Sequence, residues 1–375
     1  VFNLLLKEFF IFFEYDPELG RYLPFIFGLI SIPALCYLTF QIRKNKSYLL
    51  VGILSSINFY LISYSQEVRV YSFVFLISII SIIFFFNLLE NEKTPKKKFI
   101  NSIFYIFFSF LGVCLHIFFF IIIFSQFLFL CLNFLTREKK LIFNLLCTLI
   151  IPILYIFFMY EYLLLQIGIK DFWIQQVNLE FFYNFFFSRF FGSKIMGIIY
   201  LSILIYLICI NIKRLFNFEE KSFLLILILF FSYSLPLLYS LFRQPVLIDR
   251  YIIFVLIPIF ILIAVLILEI KSLKIRYFIL TVILTSSLVN NYIEIFNREK
   301  AKPEFNKVLK YISDTNFTNI VTKSNIKIIE LIIINYAKNT NIKKISNIQF
   351  LHSDFDYSKL NAVSYTHLTL PTTSS

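Results

Sequence analysis

Residues 62–73 read ISYSQEVRVYSF, a polar island with Gln66, Glu67 and Arg69 set between two apolar runs that are each long enough to cross a bilayer. Such an island between such runs belongs to a chain that threads a membrane repeatedly. Ionisable side chains this close to hydrocarbon are costly and need a partner or a ligand. The island is therefore also the first candidate site.

Working outward, the same pattern recurs. The chain is 59% hydrophobic and 15% charged, against about 25% charged in an average soluble domain. Ten apolar runs read as spanning helices, near residues 22–42, 47–64, 71–89, 99–115, 117–135, 141–160, 195–211, 222–241, 251–270 and 277–291. The fold class is thus an all-α polytopic membrane protein. The net charge of +13 does not indicate nucleic acid, because the basic residues are scattered over short loops and form no stripe on a binding motif. The five cysteines all fall inside apolar runs without metal or redox spacing, and they read as small buried hydrophobes.

The charge reports topology instead. Loops 43–46, 90–98, 136–140, 213–221 and 271–276 hold 16 Lys and Arg, whereas the opposite set holds six: Arg69, Lys170, Arg189, Lys194, Arg243 and Arg250. The positive-inside rule places the first set in the cytoplasm. Gln66, Glu67, Arg69, His116, the loop from Glu161 to Lys194 and the RQPVLIDR segment then share the outer face. That long loop, with Trp173 and FFYNFFFSRFF, is aromatic enough to lie in the interface as one or two short helices.

The chain divides into four regions. Residues 1–20 form an outer interfacial helix followed by Glu14, Asp16, Glu18 and Arg21; residues 21–296 form the transmembrane domain. Residues 297–360 read as a small outer α/β appendage, with helices near 302–313 and 326–338 and strands near 319–322 and 345–351. The tail 361–375, with no Lys, Phe or Ile, resembles translated adapter sequence and is expected to be non-native.

No soluble-enzyme motif is present, neither a Gly-rich phosphate loop nor HExxH nor GxSxG. The candidates are the outer polar residues. Glu67 and Arg69, two apart, would point in different directions on a helix and would each face a ligand. Arg69 suits bidentate binding of a phosphate and Tyr71 could add a donor. His116 lies at the turn between the fourth and fifth spans, and Arg243, Asp249, Arg250 and Tyr251 cluster at the start of the ninth. Each also has a plain structural reading: Arg250 and Tyr251 as interfacial anchors, His116 as a turn residue, Asp249 as a partner of Arg250 or Arg243.

At these residues the sequence resembles the GT-C fold glycosyltransferases that use a lipid-phosphate sugar donor, the protein O-mannosyltransferase and aminoarabinose transferase relatives. The resemblance runs through GRYLPFIFGLISIPALCYL (20–38), ISYSQEVRVYSF, LHIFFFIIIFSQ (115–126), PVLIDRYIIFVLIPIFILIAVL (245–266) and KPEFNKVLKYI (302–312). Its most specific part is QExRxY followed far downstream by an Arg-Tyr pair at a span start.

The resemblance implies a multi-pass enzyme of the bacterial inner membrane with its site facing the periplasm. The enzyme would move a sugar from a polyprenyl-phosphate carrier to a lipid, glycan or protein acceptor. It also implies a principal catalytic carboxylate in a loop after a span that would precede Val1, so this polypeptide is expected to be an N-terminally shortened form that lacks that span and carboxylate. Glu67 remains the candidate carboxylate here, and Arg69, Tyr71, His116, Arg250 and Tyr251 become candidate donor-phosphate ligands. Gln66, Arg21, Arg243 and Asp249 are further candidates. A divalent metal could bridge the phosphate, although nothing in the sequence requires one. The other readings of the same hydropathy are a transporter or flippase for lipid-linked glycans, and an O-antigen type polymerase or ligase.

Overall fold

A computed structural model of the chain describes residues 1–13, 19–90, 94–137, 142–168, 174, 188–215, 220–301, 319–323 and 347–351. The chain forms two compact units, Val1–Glu294 and Ile295–Ser375. The first has helices and no strand among its described residues. Its helices are α1 (Phe2–Phe13), α2 (Tyr22–Ile42), α3 (Ser47–Ser56), α4 (Phe59–Ser65), α5 (Tyr71–Leu89), α6 (Pro95–Leu115) and α7 (Phe120–Arg137). They continue with α8 (Ile142–Gly168), α9 (Ser188–Phe191), α10 (Lys194–Leu215), α11 (Glu220–Phe242), α12 (Leu256–Leu268) and α13 (Leu273–Ala301).

Every apolar run that reads as a span is helical among the described residues, but not all ten are single helices of spanning length. Among the described residues eight helices are long and apolar enough to cross a membrane. This is a multi-pass membrane protein. The second run is broken into α3 and α4, which meet at 60°, and the fifth has only the shorter stretch Ile117–Asn133.

The break is built, not frayed. Asn58 caps α4 by accepting from the Leu61 N–H at 3.0 Å and donates its amide to the Phe190 carbonyl at 2.8 Å. The Ile57 carbonyl, freed by the bend, accepts from Asn291 Nδ2 at 2.8 Å. Backbone groups released from a helix in a dry interior must find such partners.

Two spans are surrounded by the others. Tyr71–Leu89 and Asp249–Leu268 are 72% and 83% buried over their apolar windows, whereas the remaining spans are 28% or 33% buried. Ring stacking and small hydroxyls join α5 to its neighbours, with Phe27 on Phe73 at 4.1 Å and Ser81 to Ser109 at 2.8 Å. The outer helices present Ile153, Phe157, Ile198 and Phe230 outward, as a lipid solvent allows. The cysteines depart from expectation: Cys147 is buried, but Cys209 is exposed on the rim of the bundle, where a thiol meets hydrocarbon at little cost.

Polar contacts sort the helix ends into two groups. At one end Gln41 donates to Asn87 Oδ1 at 2.7 Å, Lys221 donates to the Gln41 carbonyl and to Glu90, and Asn144 donates to the Leu88 carbonyl. This end gathers the starts or finishes of α2, α5, α8 and α11 beside the lysine-rich loops. The other end carries the α4–α5, α6–α7 and α11–α12 junctions.

Helix α8 runs to Gly168, so about the first quarter of the long loop expected after residue 160 is helix. Helix α9 supplies one short helix of that loop, and most of the rest, including Trp173, lies outside the described residues. In the second unit β1 (Asn319–Lys323) and β2 (Asn347–Leu351) pair in parallel. The two helices expected around them, and the tail 361–375, also lie outside the described residues.

Candidate functional site

A cavity of about 1370 Å³ opens at the end of the bundle away from the lysine-rich loops. It is lined from the start of α5 (Arg69, Tyr71), the end of α6 (Val113, Cys114, His116), the outer halves of α8 and α11, and Tyr251. The lining mixes apolar side chains, among them Ile121, Met159, Leu235 and Pro236, with the polar Arg69, His116, Arg243, Gln244 and several tyrosines. Among the described lining residues there is no carboxylate, so the cavity favours an anion.

The local chain explains each position. Helix α4 stops at Ser65, and residues 66–70 turn sharply, with the Arg69 N–H donating to the Glu67 carbonyl at 2.6 Å. In this turn, residues two apart lie on one side. Arg69 Nε therefore approaches Glu67 Oε2 at 3.7 Å, where a helix would have turned them apart. The expectation that the two face a ligand separately fails because the segment is not helical. Both are partly exposed at the rim, and only Arg69 lines the cavity.

His116 ends α6 in extended backbone, and its Nδ1 accepts from the Phe118 N–H at 3.3 Å. That contact leaves the proton on Nε2. Burial and the nearby Arg250 charge push the imidazole down to about 4, so at neutral pH His116 is an uncharged N–H donor. A Cβ on Gly112 would collide with the Phe119 ring, which is how tightly the turn folds back on α6.

Arg243 follows α11, with its backbone N–H still bonded to the Tyr239 carbonyl at 3.0 Å. Its side chain is exposed in the cavity mouth and has no protein partner among the described residues. Ser240 braces the following turn by accepting from the Val246 N–H at 3.1 Å.

Of the residues singled out from sequence, Arg69, Tyr71, His116, Arg243 and Tyr251 line this one cavity, whereas Gln66, Glu67, Arg21, Asp249 and Arg250 do not. Arg250 is withdrawn behind the wall, its guanidinium over the Tyr71 and Tyr251 rings at 5.9 and 5.8 Å. Asp249 is buried further in, near Arg189, Arg250 and Tyr60. Arg21 is exposed at the start of α2, beside Gly20, whose Cβ position lies 3.6 Å from Val68.

Sequence reasoning missed the wall tyrosines Tyr155, Tyr162 and Tyr239. A signal was available for one of them: Tyr239 and Arg243 are four apart, the spacing of one helical face, whereas Tyr155 and Tyr162 lie on either side of a kink in α8 at Met159. Among the described residues no group of three or more His, Cys, Asp and Glu stands together as a metal site. The chain matches no protein-family model, no curated protein and no solved structure.

Proposed function

We propose that the chain is a membrane glycosyltransferase of GT-C type that takes a sugar from a polyprenyl-phosphate donor at the periplasmic face of a bacterial inner membrane. The observation that carries this reading is the cavity whose described lining residues include apolar side chains, two arginines and a neutral imidazole donor but no carboxylate. A phosphodiester on a long apolar chain has the matching halves. Arg69 and Arg243 suit its charge through charge-assisted hydrogen bonds, and His116 and Tyr71 add neutral donors. The apolar part of the lining would accept the lipid.

In the proposed step the acceptor hydroxyl oxygen bonds to the anomeric carbon as the carbon–oxygen bond to phosphate breaks. The electron pair leaves with the phosphate, and the hydroxyl proton passes to a carboxylate. Glu67, at the rim beside Arg69, is the candidate for that base. Fixed cations help most where charge grows on the departing phosphate. No step is routed through a metal.

A transporter would draw support from the broken pair α3 and α4, since broken helices often bind cargo. Yet the groups freed at that break are satisfied by the side chains of Asn58 and Asn291, Asn58 donating in turn to the Phe190 carbonyl, and none of these residues lines the cavity. A polymerase or ligase would use the same donor class, so the donor assay tests the shared chemistry.

The test is incubation of the purified chain with polyprenyl-phosphate sugars, following release of polyprenyl phosphate by mass spectrometry. Release that disappears in Arg69→Ala and Arg243→Ala supports the proposal. Binding of the donor with no release in any acceptor mixture, together with its movement across vesicle membranes, would favour the transporter.

A further inference from the structure

One corner of the cavity is aromatic. Tyr71 at the start of α5, His116 and Phe118 in the α6–α7 turn, and Tyr251 in the α11–α12 junction all line it. The Tyr251 ring centroid lies 4.8 Å from His116 and 5.3 Å from Phe118, and His116 lies 5.5 Å from Phe118 and 6.1 Å from Tyr71. The planes of Phe118 and Tyr251 are inclined at 54°, so the pair makes a shallow V instead of a flat stack. The adjacent phenylalanines differ in use: Phe119 is fully buried against Gly112 of α6, whereas Phe118 is half-buried and belongs to the cavity lining.

The rings are held before any ligand arrives. Arg250, which does not line the cavity, keeps its guanidinium 5.9 Å from the Tyr71 centroid and 5.8 Å from the Tyr251 centroid. His116 Nδ1 accepts from the Phe118 N–H at 3.3 Å, which orients the imidazole and leaves its Nε2–H as a donor. Rings already in place bind with little loss of freedom. At about 1370 Å³ the cavity exceeds the roughly 300–1,000 Å³ that encloses a drug-sized ligand. A phosphate on Arg69 would leave most of it empty, and Tyr71, two residues on, begins the aromatic corner beside that phosphate.

We propose that this corner is the sugar subsite of the cavity, and that the sugar is a neutral pyranose whose C–H face rests on Phe118 and Tyr251 while one hydroxyl accepts from His116 Nε2. This rests on the reading of the cavity as a site for a lipid-phosphate sugar. The face of an aromatic ring is negative and the C–H groups of a pyranose are slightly positive, so the two attract while both leave water. Charge narrows the class. Among the described lining residues the charged side chains are Arg69 and Arg243, with no carboxylate. An ammonium on the sugar would meet like charge, and the Tyr71 and Tyr251 rings that could receive it already hold Arg250. The corner therefore selects against an amino sugar.

The experiment uses the whole chain in a sugar-free detergent and compares three phosphodiesters by calorimetry: dodecyl methyl phosphate, dodecyl glucosyl phosphate and dodecyl glucosaminyl phosphate. The glucosyl lipid should bind about tenfold more tightly than the methyl one, and the glucosaminyl lipid no more tightly. Phe118→Leu keeps an apolar side chain and the backbone N–H bonded to His116, and it should lose most of the tenfold gain. Tyr251→Leu should lose it as well, whereas Tyr251→Phe should keep it; this pair carries the test if Phe118→Leu does not fold. No gain in the parent, or a gain that survives in folded Phe118→Leu and Tyr251→Leu, overturns the proposal. A glucosaminyl lipid that binds as tightly as the glucosyl one overturns the restriction to a neutral sugar. Failure of the underlying site looks different. A parent that binds neither dodecyl phosphate nor any of the diesters, or binds them equally after Arg69→Ala with Arg243→Ala, removes the phosphate site and the subsite with it.

Discussion

The two ends of the bundle handle their charges in opposite ways. At the lysine-rich end Lys221 is shared between Glu90 at 2.9 Å and the Gln41 carbonyl at 3.2 Å, and Arg276 is bound to the Leu268 and Ile270 carbonyls. At the cavity end Arg243 has no partner among the described residues, and Arg69 has only an open ion pair at 3.7 Å. The first end uses cations to tie helix termini together. The second holds them at the mouth of a large space, which is how a protein keeps charge available for something else.

The contrast breaks most sharply at Arg69 and Arg243. The double change to alanine should lower dodecyl phosphate affinity by about a hundredfold or more, since each charge-assisted bond contributes about 1.5–3 kcal/mol. An affinity within threefold of the parent would mean that the cavity arginines are idle.

The next effect is on the asparagine contacts at the break between α3 and α4. Gly192 has φ +96°, and a Cβ there would meet Asn290 Nδ2 at 2.7 Å and Phe59 at 2.9 Å. Gly192→Ala should cost about 2–3 kcal/mol in a detergent unfolding titration. A loss below about 0.5 kcal/mol would show that this junction is loose.

His116 sharpens the comparison through pH. Its imidazole has its midpoint near 4 in the fold against 6.5 unfolded, so the unfolded chain binds the extra proton between those values. The stabilisation is complete above pH 6.5 and is lost as pH falls toward 4. Melting temperature should therefore fall over this window, and less steeply in His116→Asn, which keeps an acceptor for Phe118. Parallel profiles for the two proteins would refute it. The smallest change is expected at the other end, where Glu90→Gln should shift stability by about 1 kcal/mol or less because its side chain is half exposed.

Hydropathy made most of the fold legible, because the solvent for these helices is lipid and a long apolar run has few alternatives. It could not show the break at Ile57–Asn58. A window of apolar residues averages over one asparagine, and the groups that satisfy the bend come from Phe190 and Asn291, far along the chain. The site was half legible. Arg69, Tyr71, His116, Arg243 and Tyr251 stand out as polar residues at span ends. That Arg250 turns inward while Arg243 turns outward depends on the turn at 243–248, which periodicity does not describe. Glu67 and Arg69 were read against a helix that the chain leaves at Ser65.

The two central spans also carry a consequence for biogenesis. Tyr71–Leu89 and Asp249–Leu268 are the most hydrophobic of the eight, with mean hydropathies of 2.6 and 3.3. The first leaves the ribosome long before the second, and the start of the second packs against it. Being apolar on every side, the early helix can rest in lipid as a stable tenant until its partner is made. The wall of the cavity, drawn from both, thus comes into being only late in synthesis.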